Sequence, residues 1–116
     1  IRFPLLFRDL AKAGAEIITV PSAFTKKTGE SHWHTLLKAR AIETGCYILA
    51  PAQTGKHFQG RESYGHSLIV SPWGEILADG GKNECIINAK IDISKVSKTR
   101  HMIPNLSNEK HFTLNI

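Results

Sequence analysis

Two rhythms of apolar and polar positions alternate along this chain, and each change of rhythm marks an element. After a short apolar entry, Pro4 suits the first turn of a helix, where its missing N–H costs nothing. Leu6, Leu10 and Ala13 continue as an apolar stripe, widened by Phe3, Phe7 and Ala11, and Gly14 ends it. Residues 16–20 are β-branched and mostly apolar, which predicts a strand closed by Pro21. A loop over residues 22–29 leads to a second helix, for which Thr28 or Ser31 is the expected N-cap. Its Trp33, Leu36, Leu37, Ala41 and Ile42 collect on one face, with His34, Lys38 and Thr44 opposite. Gly45 stops that helix. Tyr47, Ile48, Leu49 and Ala50 show no polar alternation, so this strand is expected to be covered on both faces.

The second half changes to shorter units. Residues 54–65 read as a polar loop. Residues 66–70 and 75–78 read as strands joined by the turn Ser71, Pro72, Trp73 and Gly74, with Pro at its second position. Asp79, Gly80 and Gly81 make the next turn, residues 84–91 a further strand, and residues 94–100 a short helix capped by Ser94. From Pro104 onward the chain is polar and irregular, which predicts a mobile or partner-dependent tail. The order is α-β-α-β-β-β-β-(α)-tail. Helices covering a sheet normally follow a strand in a crossover, yet the first helix has none before it. The pattern is that of the later part of a layered α/β domain.

Composition narrows the choice only slightly. With 116 residues, 41% hydrophobic and 22% charged, the chain allows one domain with a modest core. The net charge of +5 is spread out. Its densest spots, Lys26–Lys27 and residues 95–100, lack interleaved aromatics, so a solvated basic surface is expected rather than a nucleic-acid partner. No apolar run approaches the roughly 20 residues of a membrane span. Nor does a charged-then-apolar signal open the chain. Both cysteines, Cys46 and Cys85, lie in apolar runs and read as reduced core thiols of a cytoplasmic protein. The chain begins at Ile1 and its single methionine is Met102, so it reads as a piece of something longer or an oddly initiated frame.

Candidate chemistry is sparse. Cys46 with a nearby histidine could be a nucleophile and base, but it opens a buried strand without an exposed elbow. His32, His34, His57 and His66 could gather on a metal. The spacing of His32 and His34 turns their rings about 200° apart on a helix, however, and no CxxC or HExxH pattern is present. They read as surface and supporting histidines, and no metal site is expected. Glu43 could face a pocket as an acid or base; pairing with Arg40 is the structural alternative and the one we favour. Gly55, Gly60 and Gly65 do not join a strand to a helix as a phosphate loop would. From its residues alone, the chain does not disclose a reaction.

An ordered series of motifs is more specific. Arg2-Phe3-Pro4, residues 10–16, Val20-Pro21-Ser22-Ala23-Phe24-Thr25, Thr28-Gly29-Glu30 and His32-Trp33 resemble the carbon–nitrogen hydrolase (nitrilase) superfamily. The likeness continues through Ala39-Arg40-Ala41-Ile42-Glu43, residues 50–55, Tyr64-Gly65-His66-Ser67 and Pro72-Trp73-Gly74-Glu75, to about Pro104. The branch that it resembles contains the Nit-like amidases, which hydrolyse ω-amides or deaminated glutathione. The resemblance implies an α-β-β-α sandwich whose sheets pair across a dimer interface. It also implies amide or nitrile hydrolysis through a thioester, without metal or organic cofactor. The family uses a Cys nucleophile, a Glu base and a Lys that stabilises the tetrahedral intermediate, often with a second Glu.

The family's nucleophile lies just before an Arg-Phe-Pro-Glu run, and this chain opens with Ile1-Arg2-Phe3-Pro4. On that resemblance none of the catalytic residues lies in this chain; neither Cys46 nor Cys85 matches the nucleophile, and Leu5 replaces the usual Glu. Residues 1–104 are then the C-terminal half of a nitrilase-like domain, and 105–116 an irregular tail. Pro21, Ser22, Ala23 and Phe24 would flank the acyl part of a small amide substrate, with Arg2 and Glu43 as supports. The expected chain is inactive alone, binds substrate only when completed by the other half, and forms a homo-oligomer or joins a complementing partner. The rival readings are a non-enzymatic dimerisation or complementation module and a thiol enzyme built on Cys46. The first helix is expected to leave an apolar stripe open, and the chain to be marginally stable.

Overall fold

The main helix begins earlier than its capping signals suggest, and this fixes the rest of the layer. The computed structural model describes residues 1–114. Helix α1 spans Pro4–Lys12 and α2 spans Lys26–Thr44. Thr25 is extended at the N-cap position of α2, and its carbonyl accepts the Gly29 amide at 2.8 Å. Thr28 therefore lies inside the first turn, its hydroxyl 2.8 Å from that of Thr25, and Ser31 lies a turn further in; neither is the cap. At the other end Gly45 takes a left-handed conformation and donates to Ala41 O, as a helix stop should.

The strands are β1 (Ile17–Thr19), β2 (Tyr47–Ala50), β3 (Thr54–Lys56), β4 (Glu62–Tyr64), β5 (Leu68–Val70) and β6 (Ile76–Asp79). Four of them form one sheet in the order β1-β2-β5-β6, with β1 parallel to β2 and the other pairs antiparallel. The expected polar loop contains a hairpin, β3–β4, pairing Thr54 with Tyr64 and Lys56 with Glu62. Apart from Tyr64, which joins the core, its strands are held by each other's backbone rather than by an apolar face, so periodicity could not show them. Residues 84–91 do not form the expected strand. They run unpaired in a ladder, and Ile86 is 95% exposed. Cys85 is exposed as well, not a core thiol.

One face of the sheet carries the core. Alternate positions Ile18, Ile48, Ala50, Leu68 and Val70 meet Trp33, Leu37 and Ala41 of α2 and Phe7 and Ala11 of α1. The core stripe is rotated from the expected one: Arg40 and Thr44 point in, whereas Ile42 points out. The buried polar groups are satisfied, Thr44 by donating to Arg40 O at 2.6 Å and Arg40 by Ile1 O and Glu43. On α1 it is Phe7 and Ala11 that are covered, while Leu5, Leu6 and Leu10 stay open. The sheet's other face presents the row Thr19, Leu49, Ile69 and Ala78, which the register places side by side. Residues 85–87 cross that face and enclose an apolar groove of ≈ 400 Å³.

Helix α3 (Ser94–Met102) closes the amino ends of β1 and β2. Ser94 is its first helical residue rather than its cap; Ile93 holds the N-cap position, and the Asp92 carboxylate just before it accepts the Ser94 amide at 3.0 Å. Arg100 donates to Thr44 O at 3.0 Å and to Ala15 O at 2.7 Å. Beyond Pro104 the chain is irregular but tied down: Glu109 bonds Arg8 and Lys12, each at 2.7 Å, and Asn105 O accepts from Arg8. Among the described residues no helix is long and apolar enough to cross a membrane.

Candidate functional site

Pro21, Ser22, Ala23 and Phe24 leave the carboxyl end of β1 and are fixed there by backbone bonds. Ser22 N donates to Pro51 O at 3.0 Å, Gln53 N returns a bond to Ser22 O at 2.9 Å, and Tyr64 N donates to Phe24 O at 2.9 Å. The segment thus bridges the end of the main sheet and the β3–β4 hairpin. Phe24 packs on Trp33 with ring centroids 4.9 Å apart. Ala23 and Thr25 edge a depression of ≈ 210 Å³ shared with Gln53, His57, Arg61, Glu62 and Ser63. His57 Nε2 lies 2.6 Å from Ser63 Oγ on its floor.

The two expected supports work in different places. Arg2 lies beside residues 21–24: its guanidinium stands 5.3 Å from the Phe24 ring centroid and 3.0 Å from His32 Nδ1. Glu43 is near the far end of α2, where it accepts from Arg40 Nη1 at 2.7 Å. Arg40 in turn donates to Ile1 O at 2.8 Å, so this pair secures the entry to α1 rather than residues 21–24. Cys46 lies at the amino end of β2, away from residues 21–24. Its buried thiol donates to Ala15 O at 3.2 Å and receives Arg100 Nη2 at 3.1 Å.

The histidines divide similarly. His32 serves Arg2 and His57 serves Ser63, but His34 and His66 converge on Asp79, which sequence reasoning left as a turn residue. His34 Nε2 is 3.0 Å from Asp79 Oδ2, and His66 Nδ1 is 2.9 Å from Oδ1. The Gly81 amide donates to the same Oδ1 at 2.8 Å. Burial opposes ionisation of Asp79, but the bonds from His34, Gly81 and His66 outweigh it and hold the carboxyl below its ordinary value. His66 is not in a strand, as expected, but in a left-handed turn with φ of 57°, its ring stacked 4.4 Å from that of Tyr64. Burial, then the Asp79 charge, keeps the Tyr64 phenol above its usual value. The cluster is linked to residues 21–24 through Trp33, which packs on Phe24 and donates to His66 O at 2.7 Å.

Comparison with known proteins agrees with this architecture. Residues 1–101 match the carbon-nitrogen hydrolase family. The chain is 47% identical over 106 residues to a deaminated glutathione amidase of Synechocystis, covering 91% of this chain and 39% of that one. It is 49% identical over 104 residues to the human deaminated glutathione amidase, covering 90% and 32%. The structure of the Caenorhabditis elegans NitFhit protein superposes with a TM-score of 0.86 at 46% identity, covering 94% of this chain and 26% of that one. The chain therefore spans well under half the length of these relatives. Matched over nearly all of its own length and alike in fold, it belongs to the carbon–nitrogen hydrolase family.

Proposed function

We propose that this chain, over residues 1–104, supplies the acyl-side wall of an amidase pocket acting on the ω-amides of small carboxylic acids, deaminated glutathione among them. The observation that carries this reading is the fixing of residues 21–24 at the carboxyl end of β1, where ligands of α/β sheets gather. Two further features support it. The outer edge of β1 is unpaired among the described residues, and Leu6 and Leu10 of α1 stand open. An edge strand next to uncovered leucines is the place for one more strand, the one that in this family ends at the nucleophile. The nearby relatives named above are amidases.

In this scheme the thiolate comes from residues outside 1–116. It attacks the amide carbonyl, the nitrogen leaves as ammonia after accepting a proton from the general acid–base, and water releases the acid from the thioester. Pro21 to Phe24 bound the acyl group, while Arg2 braces Phe24. Of the two cysteines, Cys46 is sealed at the opposite end of β2 and Cys85 donates to Gly80 O on the sheet's other face, so among the described residues neither thiol belongs to residues 21–24 or their backbone bonds.

The test is ammonia release from glutaramate-type amides and from deaminated glutathione. It is measured on the purified chain, and again after co-expression with the amino-terminal part of the Synechocystis amidase up to its match with Ile1. We expect no turnover from the chain alone and turnover from the co-purified pair. Turnover by the pure chain overturns the proposal. A stable pair without turnover also overturns it, in favour of a non-enzymatic complementation module.

A further inference from the structure

The cluster behind the wall has the composition of a cation site that neither the family nor the proposed chemistry requires. We propose that His34, His66 and Asp79 bind one divalent transition-metal ion of the zinc type. The donors arrive from separate elements: His34 from α2, His66 from the turn before β5, and Asp79 from the end of β6. One ligand atom from each lies within 4.8 Å of the other two. Ligands about 2.1 Å from a tetrahedral zinc stand about 3.4 Å from one another. From Asp79 Oδ2 the two ring nitrogens stand 3.0 and 3.1 Å away and need to open by only a few tenths of an ångström, while the nitrogens themselves, within 4.8 Å of each other, draw together by a rotation of the rings.

Two imidazoles and one carboxylate suit zinc, cobalt or nickel better than calcium or magnesium, which prefer all-oxygen shells. Three protein ligands leave a fourth position for water.

The surroundings hold the ligands in place, as the outer shell of a metal site does. The Gly81 amide fixes one oxygen of Asp79, and Trp33 Nε1 fixes the His66 carbonyl. Tyr64 stacks on the His66 ring, and His34 packs edge-on to both rings. The left-handed backbone at His66 costs energy for a residue with a Cβ, yet it is what turns this ring toward Asp79. All three side chains are partly accessible, with exposures of 28%, 18% and 32%, so an ion can enter from solvent. Bound there, it would tie α2 to the end of β6 and stiffen the layer on which Phe24 rests.

The test titrates metal-free chain with Zn²⁺ by calorimetry, in a Cys85→Ser background so that the exposed thiol does not compete. We expect one ion per chain, binding at least tenfold weaker in Asp79→Asn and in His34→Gln, and unchanged in His101→Gln on α3. Should the cluster variants fail to fold, Co²⁺ added to the unaltered histidines is followed by NMR. It is expected to shift the ring resonances of His34 and His66 ahead of those of His32, His57, His101 and His111. No binding to the folded chain, equal affinity in folded Asp79→Asn, or first perturbation of the other histidines overturns the proposal.

Discussion

Arg40 shows why residue type alone misplaces a side chain. Its charge argues for the surface, yet it is 6% exposed because three interactions replace water: Ile1 O, the Glu43 carboxylate and the Phe7 ring at 5.5 Å. Glu43 itself remains partly solvated, so the pair is not a sealed ion pair and contributes less than one. Replacing Arg40 by Ala orphans the Ile1 carbonyl and opens space beside Phe7. We expect it to lower unfolding free energy by about 2 kcal/mol, read as a reduced urea midpoint. Arg40→Lys recovers only part of that, because one ammonium cannot reach both partners in the guanidinium's fork. An unchanged midpoint in Arg40→Ala would show that the entry to α1 needs no such tie. The pairing of Glu43 with Arg40 was legible from their three-residue spacing on a helix. The inward turn of both Arg40 and Thr44 was not, since it depends on acceptors far along the chain or on the helix's own carbonyls.

Among elements, those with a long apolar rhythm were readable and those held by backbone pairing were not. Helix α2 is evident because Trp33, Leu37 and Ala41 repeat at the helical period, and strand β2 because Tyr47–Ala50 is an uninterrupted apolar run. The β3–β4 hairpin has no such rhythm, and the apolar residues 85–87 have one without a strand partner, lying instead across the sheet's second face. Gly29 joins the two kinds of element. A Cβ there would overlap Cβ and Cγ of Tyr64, the fixed root of that side chain. Alanine is favoured over glycine inside a helix by about 1 kcal/mol, but overpacking costs about 1–3 kcal/mol. Because the contact is backbone-proximal and rigid, the clash wins. Gly29→Ala should therefore melt lower than the parent and move Tyr64 off the His66 ring; a higher melting temperature would mean that α2 and β4 part easily.

At the scale of the whole molecule, the sheet's two faces explain both what the sequence disclosed and what it withheld. The two stretches that carry the family likeness, residues 20–25 and 50–55, meet at the carboxyl ends of β1 and β2, because strands that follow one another in the chain pair side by side there. The His34, His66 and Asp79 grouping joins residues far apart in sequence, and no local spacing announces it. The last stretch is irregular, as its polar sequence leads one to expect, and Glu109 ties it to α1. The nearby Lys12, then Arg8, lower the Glu109 carboxyl from 4.5 to about 2. A carboxyl depressed on folding stabilises the docked form above its ordinary value, and that contribution is lost as pH falls from about 4.5 toward 2. Because Glu109 is solvent-exposed, the effect is local rather than global. The side-chain NMR signals of Arg8 and Lys12 should change over this window in the parent and stay flat in Glu109→Gln. Identical profiles in the two would place the tail's attachment elsewhere.

The reach of Arg100 back to Ala15 and Thr44 also sets an order of assembly. Those carbonyls close the amino ends of β1 and β2, yet their donor is made 85 and 56 residues later. During synthesis, α1, α2 and the sheet can form while the ends of the parallel pair still face water. The last turn of α3 then seals them, late and from a distance, as a bolt is drawn after a door has swung shut. A chain halted before Arg100 would lack both of these bonds, and with them Leu106, which packs against the core. The lock on that end is thus supplied by a residue that lies outside residues 21–24, the apolar core and the histidine cluster alike.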